Sequence, residues 1–122
     1  MPTFEDACAS LTAPGQPLEL ADTEIRGRTY PVFVNAQPDL ATAFAAVAEV
    51  RGDQEYLVYE DEHWTYGEVV AHGHALAAAL VEEYGIAKGD RVAIAMRNYP
   101  EWITAVVGIA AAGAVSVPLN AW

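Results

Sequence analysis

A chain of 122 residues that is 53% hydrophobic and 19% charged holds enough apolar material for one core, is expected to form one domain at most, and is not disordered. Its 17 acidic against 6 basic residues give a net charge of −11, which excludes the basic face that nucleic-acid binding needs and disfavours anionic lipid surfaces. The single cysteine, Cys8, rules out an internal disulfide framework, and Met-Pro-Thr-Phe-Glu-Asp lacks the charged and apolar regions of a signal peptide, so the expected location is the cytoplasm.

Residues 3–11 are amphipathic, with Phe4, Ala7, Cys8 and Leu11 at helical spacing and Thr3 as a cap. Thr12-Ala-Pro-Gly-Gln ends that helix as a turn. Residues 18–24 are acidic and weakly patterned, which leaves loop and edge strand both open. Tyr30-Pro-Val-Phe-Val-Asn alternates, but Pro31 confines it to an edge or a strand start. Gln37-Pro38-Asp39 opens a helix reaching Val50, with Leu40, Phe44, Val47 and Ala48 on one face. Arg51-Gly52-Asp53 closes it.

Residues 55–59 read as a strand, Glu60-Asp61-Glu62 as a charged tip, and His63-Trp64-Thr65 as the return of a hairpin. Thr65-Tyr66-Gly67-Glu68 fits a capping box. It opens the longest helix, over residues 66–84, whose stripe of Tyr66, Val69, Val70, Leu76, Ala77, Leu80, Val81 and Tyr84 is expected to be buried. Glu68, His72, Glu82 and Glu83 take the wet side, and Gly85 stops the helix.

The stretch from Lys88 to Asn120 then organises the rest. Gly89-Asp90 is a turn and residues 91–96 are a short apolar strand. Pro100 supplies a helical φ where its missing N–H costs nothing, and Glu101 places negative charge at the positive end of the helix dipole. The helix is apolar almost all round, through Trp102, Ile103, Val106, Val107, Ile109 and Ala110. Gly113 stops it, and residues 114–117 are a second, buried strand. The sum is a parallel, right-handed βαβ unit buried on several sides. A membrane reading competes, because the run from Trp102 to Trp122 carries no charge. Its Ala and Gly content, its interruption at Gly113 and Pro118, and the lack of a flanking basic cluster argue against it.

Candidate chemistry is sparse. His72 and His74 are two apart on a helix and point to different faces, whereas zinc needs converging ligands. Cys8 lies among Glu5, Asp6 and apolar residues, so a small core residue is favoured over a nucleophile. The runs Glu60-Asp61-Glu62 and Glu82-Glu83 read as hydrated faces, since acid–base work needs two carboxyls in different environments. The junction Met96-Arg97-Asn98-Tyr99-Pro100-Glu101 has no glycine to cradle a phosphate, and Glu101 repels an anion; Arg97 is its only positive group. No catalytic, cofactor-binding or metal-ligating residue is therefore assigned. The residues describe part of a parallel sheet, which is normally covered on both faces. Such a sheet ending at Leu119-Asn120-Ala121-Trp122 is expected to be part of a longer chain.

Four blocks now bear on identity: Trp64-Thr65-Tyr66-Gly67-Glu68; Gly89-Asp90-Arg91-Val92-Ala93-Ile94; Arg97-Asn98-Tyr99-Pro100-Glu101-Trp102; and Ala112-Gly113-Ala114-Val115 with Val117-Pro118-Leu119-Asn120. In this order they resemble the start of AMP-forming acyl-CoA synthetases of the adenylate-forming superfamily, from about Pro38 to the end. The resemblance implies an α/β fold: part of the large N-terminal domain, with a parallel βαβ unit, a preceding hairpin and flanking helices, residues 1–122 being its first segment. It implies that the parent uses ATP, Mg²⁺ and CoA, attacks the α-phosphate of ATP with a fatty acid or other carboxylate, and passes the acyl group to CoA. In the family the phosphate loop, the ribose-binding Asp, the hinge and the C-terminal Lys lie further along. The segment alone is expected to be inactive and to bind none of these cofactors. The alternatives are an adenylation domain loading a carrier protein, a non-catalytic module that pairs with a second copy through the sheet edge after Leu119, and a small doubly wound nucleotide-binding protein.

Overall fold

A computed structural model describes residues 1–119, and the chain within it divides into two compact units, Met1–Gln37 and the part from Pro38 onward. Asn120, Ala121 and Trp122, the end of the last sequence block, lie outside the described residues.

In the first unit, helix α1 (Phe4–Thr12) begins at Thr3, whose hydroxyl accepts from Asp6 N while the Asp6 carboxylate accepts from Thr3 N at 2.9 Å. That is a reciprocal capping box with aspartate in the acidic role. Strands β1 (Leu20–Ile25) and β2 (Arg28–Phe33) form an antiparallel hairpin, which resolves residues 18–24 in favour of strand. Arg26 and Gly27, at φ 52° and 76°, make the two-residue turn whose twist matches a hairpin. Pro31 is tolerated because a two-stranded sheet consists of edges. No residue of α1, β1 or β2 is buried. Phe4 is 84% exposed and Cys8 is exposed, so Cys8 is not the core residue that its apolar neighbours suggested. An amphipathic pattern buries nothing unless a second surface covers it.

The second unit contains the core. Helix α2 (Leu40–Arg51) starts at Asp39, whose carboxylate accepts from Thr42 N at 2.7 Å. Its inner face differs from the expected one. Phe44 and Ala48 are half-buried, but Leu40 is 62% exposed and Val47 is exposed too, while Ala41, Ala43, Ala45 and Ala46 turn inward. The small residues face α3 and α4 because α2 packs against both. Strands β3 (Glu55–Tyr59) and β4 (Glu62–Thr65) form the expected hairpin, with a register irregularity between Glu55 and Leu57. Helix α3 (Tyr66–Glu82) opens with the Thr65–Glu68 capping box and is two residues shorter than expected. The chain turns away at Gly85, and Ile86 N donates to Leu80 O at 2.9 Å, so Val81 and Tyr84 lie outside the buried stripe.

Strand β5 (Arg91–Ile94), helix α4 (Pro100–Ala111) and strand β6 (Val115–Pro118) form the βαβ unit, with β5 and β6 parallel and Arg91 opposite Val115. Gly113 sits at φ 72° just past α4, a conformation that favours glycine. Ile94, Ala105 and Ile109 form the centre, with Leu76 and Leu80 of α3 packed on it. Val92 and Ile94 turn inward while Arg91 and Ala93 are exposed, and in β6 only Ser116 and Val117 are even half-buried. The expected buried second strand is thus at most half-buried.

Helices α3 and α4 cross closely at Gly73 and Gly108. A Cβ on Gly73 would lie 2.5 Å from Val107 Cγ1, and one on Gly108 would lie 2.8 Å from the Gly73 carbonyl oxygen. Two backbones meet there with no room for a side chain. Among the described residues no helix is long and apolar enough to cross a membrane; α4, at 12 residues, takes up only the first part of the uncharged run, which Gly113 then breaks before β6.

Candidate functional site

The carboxyl end of a parallel strand is where open α/β sheets bind ligands, and here that end is the connection from β5 to α4. Pro100, at the first position of α4, holds the preceding residue extended. Tyr99 accordingly sits at φ −88°, ψ 164°, outside the helix, with no side-chain cap. Its ring meets the ring of Tyr59, the last residue of β3, at 5.5 Å between centroids and 89° between planes. The hairpin and the βαβ unit are joined there by an edge-to-face aromatic contact.

Two hollows flank this pair. One, of about 380 Å³, runs along Leu57, Asn98, Trp102 and Ile103. The other, of about 430 Å³, is bounded by Glu62, Met96, Pro100 and Glu101. Both lie within the size range of small-molecule sites. Partial burial is the main influence raising the Tyr59 phenol above its ordinary pKa of 10.0; the charges of Glu60, Tyr99 and Glu62 add to it, and Arg97 opposes it. The site is therefore aromatic and electronegative. Its polar groups are phenols, a carboxamide and two exposed glutamates.

The residues singled out from the sequence are scattered. The His72 ring lies 4.9 Å from the Trp64 indole, and His74 is exposed elsewhere on α3. Cys8 belongs to the first unit. Glu60 lies at the hairpin tip in a left-handed conformation, φ 52°, and Glu62 accepts from Trp64 Nε1 at 3.1 Å. Glu82 and Glu83 are exposed at the end of α3. Sequence reasoning missed the pairing of His63 Nδ1 with the Glu55 carboxylate across the hairpin. It also missed the Tyr59–Tyr99 contact, which joins residues that no local spacing relates.

The cofactors implied by the resemblance do not fit these residues. Among the described residues no three His, Cys, Asp or Glu converge on a metal-sized site. The β5–α4 connection has no glycine that would let the backbone wrap a phosphate, and Glu101 occupies the first turn of α4. No chemical step involving ATP or Mg²⁺ can be assigned to these side chains.

Comparison with known proteins supplies the family. The AMP-binding enzyme family matches residues 44–121. Pyochelin synthetase PchE of Pseudomonas aeruginosa is 36% identical over 95 residues, covering 72% of this chain and 6% of that protein. The medium/long-chain-fatty-acid–CoA ligase FadD6 of Mycobacterium tuberculosis is 32% identical over 108 residues, covering 85% of this chain and 18% of that protein. Among solved structures, the N-terminal subdomain of Klebsiella oxytoca NpsA in complex with 3-hydroxyanthranilyl-AMSN superposes with a TM-score of 0.67 at 28% identity, over 75% of this chain and 23% of that one. The chain thus spans under a fifth of either matched sequence relative.

Proposed function

The chain belongs to the AMP-binding enzyme family, within the adenylate-forming superfamily, and on that premise we propose that residues 1–122 are the first segment of the large domain of an ATP-dependent, AMP-forming ligase. The parent joins a carboxylate to the α-phosphate of ATP, releases pyrophosphate, and passes the acyl group to the thiol of CoA. ATP, Mg²⁺ and CoA are held by parts of the parent other than these residues, and the parent works in the cytoplasm. This segment contributes framework: the hairpin, the glycine crossing and the first parallel strands.

The observation that carries the reading is the match of residues 44–121 to the family. The exposure of Arg91, Ala93 and Val115 in the β5–β6 sheet supports it, since parallel sheets in α/β enzymes are normally covered on both sides. The choice of CoA rests on FadD6, the fatty-acid–CoA ligase whose similarity extends over 85% of this chain. A second reading, transfer to a carrier protein, is favoured by the likeness to Klebsiella oxytoca NpsA-ThdA, an artificially fused adenylation–PCP di-domain, at 29% identity and a TM-score of 0.67.

Carboxylate-dependent exchange of pyrophosphate into ATP tests the first half-reaction. The full-length gene product is expected to exchange with a fatty or other carboxylic acid, and residues 1–122 alone are expected not to. Exchange by the segment alone, or none by the full-length protein with any acid of a broad panel, overturns the reading. Adding CoA or a phosphopantetheinylated carrier protein to the active form then separates the two acceptors.

A further inference from the structure

The corner between Tyr59 and Tyr99 has a chemistry that framework does not require. Two rings that meet edge to face at 89° both line a hollow of about 430 Å³. The ring face carries the negative part of its quadrupole. The carboxyl groups of Glu62, which accepts from Trp64 Nε1, and of Glu101 line the same hollow, and Met96 adds a polarisable thioether. An anion is repelled by both carboxylates. A small inorganic cation would need several converging oxygens, and among the described residues no group of three acids converges. A neutral apolar group would gain nothing from the glutamates. A cation with an apolar, weakly hydrated surface gains from the ring face and from the carboxylates together. Arg97, exposed on the same connection, is the competing cation.

We propose that the corner of Tyr59 and Tyr99, flanked by Glu62 and Glu101, binds a small quaternary ammonium group. The site is separate from acyl transfer: it lies on residues with no place for ATP or Mg²⁺, and its ligand needs no carboxylate.

The test titrates the full-length gene product, labelled with ring-¹³C tyrosine, with choline chloride and with its uncharged isostere 3,3-dimethyl-1-butanol at constant ionic strength. Choline is expected to shift the Tyr59 and Tyr99 ring signals saturably, and the neutral isostere to bind about tenfold more weakly. Replacing both carboxylates (E62Q with E101Q) is expected to weaken choline by about tenfold, and both positions are exposed, so folding is not at risk. Tyr99→Phe keeps the ring face and is expected to keep binding; Tyr99→Leu is expected to lose it. Equal binding of choline and the isostere, unchanged affinity in the double Gln variant, or no saturable shift with choline overturns the proposal. Because the readout is the tyrosine rings and not acyl transfer, each of these failures leaves the ligase reading untouched.

Discussion

The two units obey the same local rules and differ in what those rules achieve. Both open a helix with a threonine capping box, Thr3 with Asp6 and Thr65 with Glu68. Both contain an antiparallel hairpin turned by residues of positive φ, Arg26 and Gly27 in one and Glu60 in the other. Yet α1, β1 and β2 bury no residue, whereas α3 and α4 bury Val69, Gly73, Ala77, Ala105, Val107 and Ile109 among others. Satisfied hydrogen bonds make an element possible; covered apolar area makes it persist, because burial is the dominant favourable term. The family match begins at residue 44, inside the unit that has the core.

The sharpest way to break the second unit is to fill its helix crossing. Gly108→Val places a branched side chain where even a Cβ would lie 2.8 Å from the Gly73 carbonyl oxygen, and backbone cannot step aside cheaply. We expect a loss of at least about 3 kcal/mol, at the upper end of overpacking, read as a lower urea midpoint. Ile109→Ala comes next. Ile109 is 1% exposed at the centre of the cluster, and its truncation is expected to cost about 3 kcal/mol through lost transfer energy and an unfilled cavity. If either substitution leaves the urea transition in place, the core is not where it has been described.

Much of this contrast was legible in the sequence, and the reason lies in range. Thr65, Pro100 and Gly113 act within a few residues, so the start of α3 and both ends of α4 could be read directly. The inner face of α2 could not, since whether Leu40 or Ala45 turns inward depends on where α3 and α4 lie. The crossing left one unused signal. Gly73 and Gly108 each sit mid-helix, where glycine costs about 1 kcal/mol relative to alanine, so each needed a packing reason. The Tyr59–Tyr99 corner left none, because it joins a strand end to a helix start forty residues apart.

The matched caps allow the comparison to be sharpened with smaller effects. Thr65→Ala is expected to cost about 1 kcal/mol and to appear in the urea transition of the core, since α3 carries Val69 and Ala77. Thr3→Ala removes an equivalent box but is expected to leave that transition unmoved, with the loss confined to faster amide exchange in α1. An equal shift of the urea midpoint by both substitutions would erase the distinction between the units.

Acid titration gives the mildest test. Hydrogen bonds from Thr3 hold Asp6 below its ordinary pKa of 3.8, and those from Thr65 hold Glu68 below its ordinary 4.5. A carboxyl whose pKa is depressed by folding contributes stability above its unfolded pKa and loses it as pH falls through the folded value. Both contributions are therefore complete at neutral pH and disappear below about pH 4. Carboxyl ¹³C shifts are expected to give both groups low midpoints, which rise only part of the way in Thr3→Ala and Thr65→Ala respectively, because the backbone N–H of residue 3 or 65, the larger cause of each shift, survives the substitution. The consequences then diverge: protonating Glu68 loosens a helix on which the core depends, while protonating Asp6 frees a helix none of whose residues is buried. Protection of the Val69 and Ala77 amides is expected to fall with the first titration and to ignore the second.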